Sequence, residues 1–170
     1  MFKPGDLVRY GGFGVCKVEE TKKMEMARVE EEYYVLSPMF KSGVLYVPSA
    51  NEELVGKMLP LLTPEEIYSV VEKVKNMEIE WIRDFRRRSE NAKKALNSGD
   101  RADALFLIKN AWAKRVGQIT EIRRSHTTDD YFLRDAQLLI FNEFSFVLGK
   151  SVEEIAAWVR KEFDMEETEA

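Results

Sequence analysis

The chain has 170 residues, 45% of them hydrophobic and 33% charged, which excludes disorder and leaves room for one ordinary domain or two small ones, since single cores typically occupy roughly 100 to 150 residues. No apolar run approaches the roughly 18 residues needed to cross a bilayer, and "MFKPGDLVRY" lacks the apolar stretch of a secretory signal, so a cytoplasmic protein with no membrane partner is expected. The formal net charge of −4 excludes coating of DNA by bulk charge, but charge acts over a Debye length of roughly 8 to 10 Å, so its distribution matters more than its sum.

In chain order, the first sixty residues read as short strands. "DLVRY" (6–10), "GVCKVEE" (14–20), "EYYVLS" (32–37) and "VLYVP" (44–48) are rich in β-branched and aromatic residues, and "YGGFG" and "FKSG" between them are turn chemistry. Strands this short and this close predict a small, strongly bent barrel, because an open sheet of that size exposes too much edge. Cys16, the one cysteine, lies in a strand and is expected to pack as a small buried hydrophobe. With one histidine, no Cys/His cluster, no G-x-S-x-G and no glycine-rich phosphate loop, neither a metal, a cofactor nor an enzymatic reaction is expected, and no pair of acids stands out from the 30 present.

After "KMLPLLT" the pattern turns helical. Thr63, Pro64 and Glu66 form a capping box with proline at the first helical position, opening "PEEIYSVVEKVKN", and the boundary falls near Pro60 to Thr63. A second helix is expected from about Glu78 to Asn97, stopped by "NSGD" with Gly99 as its cap, and either Ser98 or Asp100 caps the next, "RADALFLIKNAWAKR". His126, in "RRSHTTDD", reads as a solvated loop residue. Thr127 to Asp130 opens a long helix ending at Gly149, apolar nearly all round and so central, with Phe132, Phe141, Phe144 and Phe146 in the core. Ser151 and Glu154 make a second capping box, Trp112 and Trp158 are expected to pack, and the acidic tail from Asp164 is expected to fray. The fold class is therefore two-domain β plus α, residues 1–60 forming a barrel and 61–170 a helical bundle.

The segment "EWIRDFRRRSENAKK" (80–94) is the most informative. From Trp81 to His126 there are 12 Lys/Arg against 5 Asp/Glu, while the remainder holds 14 against 25. On a helical wheel, Trp81, Phe85, Ala92 and Leu96 share a stripe, and Arg83, Arg86, Arg87, Lys93 and Lys94 oppose it with Glu90 among them. A merely wet face usually mixes signs as i,i+4 pairs. This one repels itself unless a polyanion neutralises it. Trp81 is either a core anchor or a ring that stacks on or wedges between bases.

The succession "MFKPGDLVRYGGFGVCKVEE", "EEYYVLS", "VLYVPSAN", a tryptophan-bearing helix ending in "NSGD", "IKNAWAKR" and "FLRDAQLLIFNEFSFVLG" resembles the CarD/CdnL family of bacterial transcription regulators. Its opening F-K-x-G-D and tyrosine-glycine turn is shared with the polymerase-binding module of transcription-repair coupling factors. The resemblance implies a Tudor-like barrel that docks on the RNA polymerase β subunit by pairing a strand edge, here Val44, Leu45, Tyr46, Val47 and Pro48. Met24 and Tyr46 stand where some relatives place arginines. The resemblance also implies a helical domain that contacts promoter DNA at the upstream edge of the bubble, largely without sequence readout. There a tryptophan holds the open complex, and Arg83, Arg86, Arg87, Arg88, Lys93 and Lys94 are candidates for phosphate contacts. Counting back from Gly99 puts the tryptophan position on Phe85, whereas the local pattern "WIRDF" points to Trp81 with one added helical turn; Trp81 is preferred and Phe85 is the alternative. The expected function is a non-enzymatic, monomeric transcription regulator of this kind. The competing reading is a protein-interaction adaptor whose arginines meet an acidic protein surface without touching DNA.

Overall fold

In a computed structural model, which describes residues 1–119 and 127–166, the strand-forming residues make a five-stranded antiparallel sheet. Its strands are β1 (Leu7–Tyr10), β2 (Val15–Met26), β3 (Val29–Pro38), β4 (Leu45–Pro48) and β5 (Met58–Pro60), in the order β4-β3-β2-β1-β5. Because successive side chains alternate across a strand, Val8, Cys16, Val18, Tyr34, Leu36, Val47 and Met58 meet in one core. Phe2 closes on it edge-to-face with Tyr34, the ring centroids 5.8 Å apart. The register of β2 against β3 shifts between Val18 and Glu20, a bulge of the kind that bends a strand. The β architecture is as expected, but hydrogen bonding does not close it into a barrel: among the described residues β4 and β5 are both edges.

Two parts of this unit differ from the sequence expectation. β2 and β3 run on through 19–26 and 29–32 into a long exposed hairpin, turned by Ala27 (φ 51°) and Arg28 (φ 66°). A two-residue turn with both residues left-handed normally carries Asn-Gly, so "AR" gives no local signal for it. "KMLP", not among the expected strands, supplies β5, which pairs Val8↔Pro60 and Tyr10↔Met58 with β1; Pro60 has no N–H to donate and sits where an edge tolerates that. A short helix α1 (Glu52–Val55) precedes it, capped by Asn51 accepting from Leu54 N.

The second compact unit begins at Leu62, the first being Met1–Leu61. It contains α2 (Pro64–Lys75), α3 (Phe85–Asn97), α4 (Arg101–Arg115), α5 (Thr127–Leu148) and α6 (Val152–Glu162). Both capping boxes form, at Thr63/Glu66 and Ser151/Glu154. Residues at helical spacing, Ile67, Val71 and Val74 on α2, Leu105, Ile108 and Trp112 on α4, Leu133, Ile140 and Phe144 on α5, and Ile155 and Val159 on α6, build its core. Trp158 packs edge-to-face on Tyr68 at 5.5 Å. Of the four α5 phenylalanines assigned to the core, Phe132, Phe141 and Phe144 are buried but Phe146 is 41% exposed, so this helix is not wrapped on every side.

Two further expectations are corrected. The start of the tail is held rather than frayed, its residues 167–170 lying outside the described residues: Asp164 takes a left-handed φ of 54°, its N–H bonds Lys161 O, Met165 N bonds Arg160 O, and the Met165 side chain is buried. This is a Schellman closure with its apolar contact, and Met165 outweighs the acids around it. The second correction concerns α3, which starts at Phe85 rather than near Glu78. Asp84 is its N-cap, accepting from Arg87 N, and residues 78–84 cross the bundle as a non-helical strap. The wheel that placed Trp81 on the same stripe as Phe85 therefore does not apply, and no added helical turn carries Trp81. His126 lies outside the described residues.

Candidate functional site

The strap is held by side chains instead of helical hydrogen bonds. Glu80 N donates to Asn110 Oδ1 of α4 (2.9 Å). Arg88, one turn into α3, donates through Nη1 to Ile82 O (2.9 Å) and Arg83 O (3.2 Å). Its Nε and Nη2 form a fork with Asp129 on the first turn of α5 (2.7 and 2.8 Å). The same guanidinium lies 4.6 Å from the Trp81 ring centre and 5.4 Å from that of Phe85, and Lys114 Nζ of α4 stands 4.7 Å from the Trp81 ring. Trp81 is thus neither in the helical core nor free of the fold. It is a half-buried ring dressed by two cations, each attracted to its π face.

Trp81 also forms part of the wall of a cavity of about 300 Å³ between the strap, α3, α4 and the start of α5, together with Asn91, Asp103, Phe106, Asn110 and Phe132. Of the candidate DNA-contacting residues, Arg83, Arg86, Arg87, Lys93 and Lys94 are exposed. The last four share an arc of α3 with Glu90, whose carboxylate is 3.7 Å from Arg86 Nε. Phe85 is half-buried at the first position of α3. Arg88 is reassigned: its three nitrogens are engaged with Asp129 and two carbonyls, its side chain is only 13% exposed, and its task is to pin the strap rather than to meet phosphate. Sequence reading did not single out Asn91, Asn110, Lys114 or Asp129, and it read Phe132 as core rather than as part of a site. Only Lys114 carried a signal, as a member of the basic segment.

The first turn of α3 is electrostatically inverted. It reads Phe-Arg-Arg-Arg with no acid inside it, and Asp84 alone precedes it. A helix N-terminus carries a positive partial charge and favours anions, so three arginines there oppose the local field. One of them is neutralised by Asp129; Arg86 and Arg87 remain turned to solvent. An incoming anion is favoured both by the dipole and by these cations.

In the first unit, β4 pairs with β3 on one side only, through Tyr34↔Val47 and Leu36↔Leu45, leaving its other edge unpaired in the sheet. Val44 and Tyr46 are exposed (51% and 46%), Leu45 and Pro48 are half-buried, and Met24 is half-buried on the hairpin. Val47 is fully buried in the sheet core, so it can offer a partner its backbone but not its side chain. Cys16 is buried, and burial pushes its thiol up to about 11 against a small opposing pull from Lys41.

Two buried cations consolidate the helical unit away from the cavity. Arg101 forks onto Glu143 (3.1 and 2.8 Å), which also accepts from Leu62 N. Lys109 donates to the carbonyls of Val74, Lys75 and Met77, closing the C-terminus of α2 where a positive charge is favoured; burial lowers its pKa.

Among known proteins, no curated sequence matches the chain. Residues 2–59 match the family model of the CarD-like/TRCF RID domain, a span that takes in β1 to β4 and ends within β5. The edge strand β4 and the core that supports it lie inside the match, and the strap, α3 and the cavity lie beyond it. Residues 2–59 are therefore similar to CarD-like/TRCF RID domains, a match over the N-terminal unit that suggests an RNA polymerase-interacting, transcription-related protein.

Proposed function

We propose that the chain is a non-enzymatic transcription regulator that acts as a monomer, docks on the polymerase β subunit through β4, and holds promoter DNA at the upstream edge of the bubble. Docking would extend the sheet: an unpaired edge strand offers main-chain groups to a partner strand, with Val44 and Tyr46 exposed beside it as side-chain contacts. The observation that carries the DNA half is the inverted first turn of α3 beside Trp81. Arg86, Arg87, Lys93 and Lys94 supply phosphate contacts, Arg83 joins them from the strap, and Trp81 supplies a ring at the bubble edge. Phe85, at the helix start, lies behind Arg88 and is the secondary aromatic.

The test is the lifetime of promoter open complexes with the cognate polymerase. Trp81→Ala is expected to shorten it severalfold, and Phe85→Ala to do so less. Val44→Glu with Tyr46→Glu is expected to reduce retention of the chain on the β subunit. Unchanged lifetime with Trp81→Ala sinks the DNA half. Retention on polymerase that is indifferent to DNA and salt, yet lost on reversing α3 charges, favours the adaptor reading, in which the same cations meet an acidic protein surface.

A further inference from the structure

The cavity beside Trp81 contributes little to holding the helical unit together, whose core lies around Ile108, Ile140, Phe144 and Ile155. Its size, about 300 Å³, is at the low end of the roughly 300 to 1,000 Å³ typical of small-molecule sites. Three kinds of group face it. Trp81, Phe106 and Phe132 are aromatic; Asn91 and Asn110 bring side-chain amides; Asp103 brings a carboxylate, as do Glu80 and Asp129, the last held by Arg88. The orientation of Asn110 is fixed by chemistry: Glu80 N can only donate, so the atom 2.9 Å from it is Oδ1, and Nδ2 is the group left to donate elsewhere. Lys94 also lines the cavity, and the exposed cations of α3 continue outward from it.

A purely apolar ligand makes no use of the remaining Asp103 oxygen or the amide donors, Asp103 Oδ2 already accepting from Ser98 Oγ at 3.4 Å, and a bare anion makes no use of three aromatic side chains. A flat heterocycle with donors and acceptors around its edge and an anionic group attached uses all three: rings stack, Asp103 accepts from an exocyclic amine or ring N–H, Asn110 donates, and Lys94 meets the anion. We propose that this cavity receives an unpaired nucleobase, with its phosphate against Lys94 and the α3 cations. The chemistry is the same whether the base comes from a melted strand or from a free nucleotide, and only the first source rests on the DNA reading above.

The test uses the full chain and three probes: a forked promoter fragment with 2-aminopurine at each unpaired position in turn, the fully paired duplex of the same sequence, and the four nucleoside monophosphates. Wild type is expected to bind the fork at least about tenfold more tightly than the duplex, in line with the contribution of base stacking on aromatic residues, and to quench 2-aminopurine at one or two positions. Ala95→Leu fills the cavity from α3 and Ala111→Leu from α4, leaving every cation in place. Either substitution, with the fold checked by circular dichroism, is expected to abolish the fork preference and leave duplex binding unchanged. Tryptophan quenching by a monophosphate that is lost on filling, with fork and duplex bound alike, assigns the base to a free nucleotide. The inference is overturned if wild type shows neither fork preference nor monophosphate binding, a result that needs no variant. It is also overturned if folded Leu variants keep the preference, or if filling weakens only polymerase retention, which gives the cavity to a protein side chain. Duplex binding that persists in the first case leaves the phosphate reading standing.

Discussion

At the scale of single residues, one guanidinium organises the site. Arg88 satisfies two strap carbonyls, forks onto Asp129 and covers parts of two rings. Removing it strands a carboxylate and two carbonyls together. Arg88→Ala is expected to destabilise the helical unit by about 2 to 3 kcal/mol in urea unfolding, less than the roughly 3 to 5 kcal/mol for a fully buried pair because both side chains keep some exposure. Arg88→Lys should recover little of this, since an ammonium cannot reproduce the fork. Cys16 gives a pH-dependent prediction for the other unit. Its folded pKa, about 11, is above the ordinary 9.0, so between these values the unfolded chain releases a proton that the folded chain keeps. Stability from this group is intact below pH 9, falls as pH rises toward 11, and loses on the order of 2 to 3 kcal/mol in all. Denaturant titrations of wild type and Cys16→Val at pH 8 and pH 11 should show the extra loss only in wild type. The same burial predicts that the thiol reacts with aromatic disulfide reagents only on unfolding.

At the scale of elements, local chemistry decided what could be read from the sequence. The two capping boxes and the glycine at 99 identify α2, α6 and the end of α3 because each is a short-range pattern with its own hydrogen bonds. The start of α3 was obscured by periodicity: Trp81 and Phe85 are four apart and fit a wheel, yet Asp84 between them is a better N-cap than an interior residue. The hairpin turn was hidden for the opposite reason, since nothing in Ala27-Arg28 announces left-handed backbone. That turn carries a steric cost, and Ala27→Asn with Arg28→Gly should stabilise the first unit by about 0.5 to 1 kcal/mol, read as a higher denaturant midpoint. The site was legible as a cluster of cations but not as a cavity. Asp129 and Phe132 reach it from α5, about 50 residues beyond Trp81 along the chain, and no local pattern connects them to that ring.

At the scale of the whole molecule, an acidic chain with one basic segment is suited to working from a tether. If the chain docks on polymerase as proposed, it would meet DNA at an effective concentration that short linkers commonly raise to the millimolar range, so weak intrinsic affinity would suffice. If Arg86, Arg87, Lys93 and Lys94 each meet a phosphate, the logarithm of affinity for duplex DNA should fall with the logarithm of salt at a slope of about −3 to −4. Each substitution by alanine should reduce that slope by about one, as measured by fluorescence anisotropy over a salt series. Val44→Glu with Tyr46→Glu should leave this binary binding unchanged while abolishing the effect on open-complex lifetime, which separates the tether from the contact.

The strap gives Trp81 a property that a helix could not. Within a helix, each inserted residue turns everything beyond it by about 100°, so spacing is quantised and most changes of length misdirect the ring. Residues 78–84 have no such ladder, and side chains such as Asn110 and Arg88 hold them instead. An added or lost residue there alters slack, not direction. Counting back from Gly99 by helical turns is thus meaningful as far as Asp84 and no farther, and the length of chain between Trp81 and α3 is open to drift or to engineering without refolding the helices behind it.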